Sequence, residues 1–201
     1  MATLSEITDE IIGITDRGED PAAVYRAIVR ATLKAHLADF WIRDLVELKV
    51  TPEITGLRMD VFLSTSLPGY RKISYINGYD DETDPENPTV MQEFHENMPQ
   101  QIRNVYGVKK NDIFYVAGDV LVLWGSGVPP SLLIGYWKLP EVGVGTYKSW
   151  IAEIFHPIIV DEACAEIFGG VGDDDEAKRR RDMFVPNLQF VRINDIEATG
   201  R

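Results

Sequence analysis

The sequence predicts an α+β fold: a helical bundle of about four helices with a β-rich insertion between the second and third. Three observations point there. Apolar residues recur at three- and four-residue steps at both ends of the chain, the period drops to two in between, and Pro and Gly punctuate each change. The bundle covers 1–44 and 146–201, and the insertion 45–145. At 201 residues the chain fits one domain carrying a large insertion.

The first helix starts at a capping box, Thr3 with Glu6, and carries Leu4, Ile7, Ile11 and Ile14 toward Gly18. Asp20-Pro21 opens the second, an N-cap acid followed by proline in the first turn. Behind it "AAVYRAIVRATLKAHLADFW" sets Val24, Tyr25, Ile28, Val29, Leu33, Phe40 and Trp41 on one stripe, with alanines that let another backbone come close. "VELKV" (46–50) and "LRMDVFL" (57–63) then alternate as strands do, and "YRKISYI" follows the turn Pro68-Gly69. An acidic loop, "GYDDETDPENPT", spans 79–89 at its centre, and a short helix is expected near Val90–Asn97. "DIFYVAGDVLVLW" (112–124) reads as two strands bent at Ala117-Gly118, and "SLLIGYWKL" (131–139) as a third. Together these strands predict a β meander.

Helical spacing returns after Pro140. His156-Pro157 separates a short helix near Ser149–Phe155 from "PIIVDEACAEIF", because the residue before proline avoids the α region. Gly169 and Gly170 close that helix. The stretch "GDDDEAKRRR" (172–181) starts the last one: Asp173 to Glu176 suit the positive end of the macrodipole. Asp174–Lys178, Asp175–Arg179 and Glu176–Arg180 are i,i+4 pairs in the favourable order. Pro186 is expected to interrupt this helix.

Charge excludes one class of function. The net charge is −12, and 73–102 contains no Lys or Arg while holding Asp80, Asp81, Glu82, Asp84, Glu86, Glu93 and Glu96. A sequence-specific DNA binder needs clustered bases instead. No apolar run approaches the ~18 residues of a membrane span, and "MATLSEITDE" lacks the basic flank and apolar core of a signal peptide. The single cysteine, Cys164, permits no intrachain disulfide and fits a protein made in a reducing cytoplasm.

No catalytic motif emerges. His36, His95 and His156 share no ligand spacing, and "HEN" (95–97) lacks the second histidine of a zinc protease. His36 reads as a packed or interfacial residue and His156 as a helix cap. "GVGTYK" (143–148) lacks both the third glycine of a dinucleotide fingerprint and the ending of a P-loop. The acids at 80–86 do not follow EF-hand spacing, there is no G-x-S-x-G elbow, and Cys164 reads as a buried small hydrophobe. No catalytic residue, cofactor or metal is expected.

The order of the C-terminal third carries a resemblance. "GYWKLPEV" leads into "SWIAEIFHPIIVDEACAEIF", then "GGVGDDDEAKRRRDMF", then "VPNLQFVRINDI". This resembles the head-to-tail adaptor (connector) proteins of short-tailed bacteriophages. "VYRAIVRATLKAHLADFWIRDL" and "RMDVFLSTSLPGYRKISYI" look like that family's opening helix and β segment. The resemblance implies a virion protein at the portal vertex, built in the host cytoplasm as a homo-oligomeric ring of about twelve copies. The portal protein would lie above it and tail or nozzle proteins below, with genomic DNA passing through unread. It also implies a portal-binding end, here Leu188, Phe190, Val191, Arg192, Ile193, Ile196 and Arg201. A ring closed by rotation needs two different faces per subunit. The candidates are Lys178, Arg179, Arg180 and Arg181 against Asp80, Asp81, Glu82, Asp84 and Glu86. The alternatives are another neck or tail-tube component, such as a stopper, or a small soluble enzyme.

Overall fold

The computed structural model describes residues 3–16, 20–80, 89–98, 111–143 and 145–198. The chain divides into two compact units, one of 1–44 with 139–201 and the other of 45–138. Each has its own apolar core.

The first unit is helical. α1 (Leu4–Thr15) begins at the complete Thr3–Glu6 capping box and ends where Asp16 turns left-handed. α2 (Pro21–Leu37) starts at Asp20, whose side chain accepts from the Ala23 N–H. It stops short of Phe40, which is exposed, whereas Trp41 beyond it is buried. A 3-10 turn, Ile42–Asp44, follows. α4 (Trp150–Ile154) is capped by Ser149, and α5 (His156–Gly170) absorbs Pro157 in its first turn, where a missing N–H costs no helical bond. α5 is the hub. Ile158, Ile159, Val160, Ala163, Cys164 and Ala165 are all buried, so α1, α2, α4 and α6 (Asp174–Ala198) can each pack against it. Small residues on α5 meet Ala27, Ala31 and Ala35 of α2, and the two backbones approach closely.

The second unit is an eight-stranded, curled half-barrel sheet. Its strands are β1 (Leu45–Val50), β2 (Glu53–Thr55), β3 (Arg58–Phe62), β4 (Tyr70–Asp80), β5 (Thr89–Glu96), β6 (Ile113–Ala117), β7 (Val120–Trp124) and β8 (Ser131–Lys138). A one-turn helix, α3 (Leu63–Ser66), follows β3. The spatial order is β1-β8-β4-β5-β6-β7-β3-β2, with β5 and β6 parallel and the other pairs antiparallel. Gly118, at φ +64°, turns β6 into β7. In β4, Ile73 and Ile76 both face the core although three apart; the register shift between Ile73 and Tyr75 restores the inward side. Gly135 leaves room for the Tyr75 ring, which a Cβ there would strike.

The expected bundle of about four helices with a β-rich insertion is therefore not the fold that forms. Among the described residues there are six helices and a mixed eight-stranded sheet. The meander fails because β1 and β8, far apart in sequence, pair along their whole length. The helix expected near Val90–Asn97 is β5: Gln92 and Phe94 turn inward between exposed neighbours, a period of two. Neighbour-to-neighbour reading underestimates non-local pairing, which is what makes this sheet.

Candidate interaction surface

The structure assembles a polar constellation that sequence spacing did not reveal. His36 on α2, Asp44 at the end of the 3-10 turn, and Ser149 at the head of α4 come together in the helical unit. His36 Nδ1 lies 2.8 Å from Asp44 Oδ2 and His36 Nε2 lies 2.9 Å from Ser149 Oγ. Trp150 Nε1–H donates to the other Asp44 oxygen at 2.8 Å. With Nδ1–H donating to the carboxylate, Nε2 is left to accept the Ser149 hydroxyl proton. Ser149 Oγ in turn accepts the Ala152 N–H at 3.1 Å. The connectivity matches an acyl-transfer relay. However, Ser149 is only 3% exposed and serves as a helix cap with ordinary extended φ and ψ. The arrangement binds three elements together. No local signal marks it, because His36 and Ser149 lie 113 residues apart.

The other histidines take separate positions: His95 is exposed on β5, and His156 begins α5 with its Nε2 3.7 Å from Glu10. Cys164 is fully buried, and desolvation pushes its thiol up to about 11. At the end of "GVGTYK" the Lys148 N–H donates to the Glu141 carbonyl at 2.7 Å. The Tyr25 hydroxyl donates to the Val142 carbonyl and Thr32 bonds Tyr147, tying this segment to α2. Among the described residues, no group of three or more His, Cys, Asp or Glu side chains is placed to hold a metal ion.

The basic run is partly committed within the helical unit. Asp173 caps α6 through the Glu176 N–H, and Glu176 gathers both Arg179 and Arg180, which holds its carboxyl below the usual range. Arg179 thus pairs at i,i+3 with Glu176 instead of with Asp175, and Arg180 also reaches Asp161 at 2.8 Å. Lys178, Arg179 and Arg181 are exposed, and Arg180 is half-buried. Of the acidic counterpart, Asp80 ends β4; Asp81, Glu82, Asp84 and Glu86 lie outside the described residues.

α6 is two-faced. It runs unbroken from Asp174 to Ala198 through Pro186, so the expected interruption does not occur. Ala177, Phe184, Val191 and Asp195 point inward, with Leu188 half-buried beside them. Val191 has 0% exposure, and Asp195 accepts the Ile42 N–H at 2.7 Å. Arg192 reaches Asp39 at 3.1 Å. Of the expected portal-binding end, Val191 is thus built into the helical core and Leu188 is half-buried beside it, while Arg192 stays exposed. Outward stand Phe190 (59% exposed), Ile193 (56%), Val185 (61%), Met183 and Ile196. At 3.6 residues per turn they cover roughly half the circumference. The Phe190 ring meets Phe155 edge-on above a hollow of about 260 Å³. Arg201 lies outside the described residues. The outward side of this half therefore carries Phe190, Ile193 and Ile196 in solvent, interspersed with the exposed polar residues Gln189 and Arg192. No family model matches the chain, and no curated protein matches it.

Proposed function

We propose that this protein is a structural component of a bacteriophage virion, a head-to-tail adaptor that docks beneath the portal as a homo-oligomeric ring. The observation that carries the reading is the outward apolar face of α6, Phe190 and Ile193 above all. That face belongs to the segment for which the resemblance implies portal contact. Its inward face is anchored through Val191 and Asp195, so a partner would meet a rigid helix with little ordering cost. The net charge of −12 suits a conduit, since a sliding duplex should find few phosphate-neutralising contacts. The role is non-catalytic: the ring transmits the genome and joins two assemblies.

The test is sedimentation of the purified chain alone and with the portal protein of the same virus. The chain should co-sediment with portal as a ring of about twelve copies, and Phe190→Ser with Ile193→Ser should weaken that association at least tenfold without lowering the melting temperature. A chain that ignores portal but binds tail-tube protein would move the reading to another neck component. A monomer that binds neither would end it.

A further inference from the structure

On the flank of α6 away from Phe155, the helical unit has a second apolar feature. α2 and α6 both pack on α5, and a trough of about 730 Å³ opens between them. Its apolar walls are Leu33 and Leu37 from α2, and Phe184, Val185 and Leu188 from α6. Leu37 and Val185 are each more than half exposed. Every charged residue lining the trough is a base: Arg30, Lys34 and Arg181.

That charge runs against the composition. A chain with 32 acids and 20 bases would place mostly acids around an arbitrary groove. Arg30 meets Glu166 and Lys34 meets Glu162, yet both side chains keep half or more of their surface in solvent. Arg181 makes no salt bridge among the described residues. On α6, Lys178, Arg181, Val185 and Leu188 follow at steps of three, four and three, the spacing of a seam that faces another helix. Lys178 is exposed one turn before Arg181 and extends the positive edge.

We propose that the trough between α2 and α6 receives an amphipathic helix from a partner protein, with two or three apolar anchors flanked by Asp and Glu. The lining spans about two turns of each helix, from Arg30 to Ala38 and from Arg181 to Leu188, with the large apolar side chains filling about one turn of each, which fits anchors at i, i+3 or i+4, and i+7. Leu37 and Val185 would bury against them, and Arg181, Arg30 and Lys34 would meet the flanking carboxylates. The rim charge sets which helix is accepted, because a lysine-flanked helix of the same apolar face would place like charges together. The one aromatic in the walls, Phe184, is buried with Lys34 4.6 Å over its ring, which favours a peptide over single-stranded nucleic acid, whose bases seek exposed aromatic platforms. The inference does not depend on the virion reading.

The experiment uses the full chain and two fluorescein-labelled 18-residue helical peptides that share one leucine face. One is flanked by Glu, the other by Lys. Fluorescence anisotropy at low salt should show the Glu peptide binding at least tenfold more tightly. Leu37→Glu with Val185→Glu should abolish that binding, and Arg181→Glu alone should erase most of the preference. Both Leu37 and Val185 are solvent-facing, and circular dichroism of the variants confirms folding. If the double variant misfolds, Arg181→Glu decides. Equal binding of the two peptides, or no binding of either, overturns the proposal. So does tighter binding of an oligo-dT probe that competes with the Glu peptide. Self-association of the chain that Val185→Glu abolishes would assign the trough to a second copy, and would also overturn it. Portal binding is read separately, so either idea can fail without the other.

Discussion

A carboxylate that accepts from both His36 and Trp150 leaves two buried N–H groups unpaired when it is removed. Each orphaned donor costs about 1–3 kcal/mol. Asp44→Ala should therefore destabilise the helical unit by about 3 kcal/mol in urea denaturation. Trp150→Phe keeps an aromatic ring beside His36, Trp41 and Phe155 but removes the N–H and the five-membered part of the indole, so it should cost about 1–3 kcal/mol. If Asp44→Ala shifts the midpoint no more than a surface control, the network is not a structural tie. Cys164 gives a second residue-level expectation. Burial raises its thiol from 9.0 to about 11, so the fold favours the protonated form. That contribution is complete below pH 9 and is lost as pH rises through about 11. Cys164→Ala should flatten the stability loss in this window, and the native thiol should stay unreactive toward an aromatic disulfide at pH 8 until the chain unfolds. Fast labelling of folded protein would show the site to be open.

At the scale of elements, α6 changes how the C-terminus must be probed. Cutting the chain after Pro186 removes Val191 from the core, Asp195 from the Ile42 N–H and Arg192 from Asp39. The truncated protein should lose the cooperative melting of the helical unit, and with it the portal binding proposed above. A truncation that melts normally would show that the second half of α6 contributes nothing to folding. Phe190→Ser with Ile193→Ser spares Val191 and Asp195 and gives up inside the chain only the edge-on contact with Phe155, because both side chains face outward. The two faces of α6 were partly legible. The sequence shows many large apolar residues after Pro186, but an inward stripe and an outward stripe interleave there. Only the contacts with α5 and the 3-10 turn assign Val191 to one and Ile193 to the other. Pro186 misled for a simple reason: proline removes one backbone bond, and packing on both sides of it keeps the helix continuous.

For the whole molecule, the two separate cores have a consequence for folding. Residues 45–138 are continuous in sequence and enclose their own cluster, including Met59, Ile76, Phe94, Leu121, Leu132, Ile134 and Tyr136. Expressed alone, 45–138 should give a β-type circular dichroism spectrum and unfold cooperatively. A non-cooperative or aggregated product would show that this unit needs the helices to form. The helical unit, assembled from both ends of the chain, closes only when the intervening segment brings them together.

Helix starts were readable in the sequence because they depend on short-range chemistry. The Thr3–Glu6 box, Asp20-Pro21, Ser149 and the acids after Gly172 each act on backbone groups within four residues. Strand periodicity in β1, β3, β6, β7 and β8 was readable for the same reason. Strand order, the parallel pairing of β5 with β6, and the meeting of His36, Asp44 and Ser149 were not. Those depend on which distant surfaces bury each other, and one amino-acid pattern is compatible with many such pairings. Tertiary structure alone chose among them, through the area and shape complementarity of whole faces.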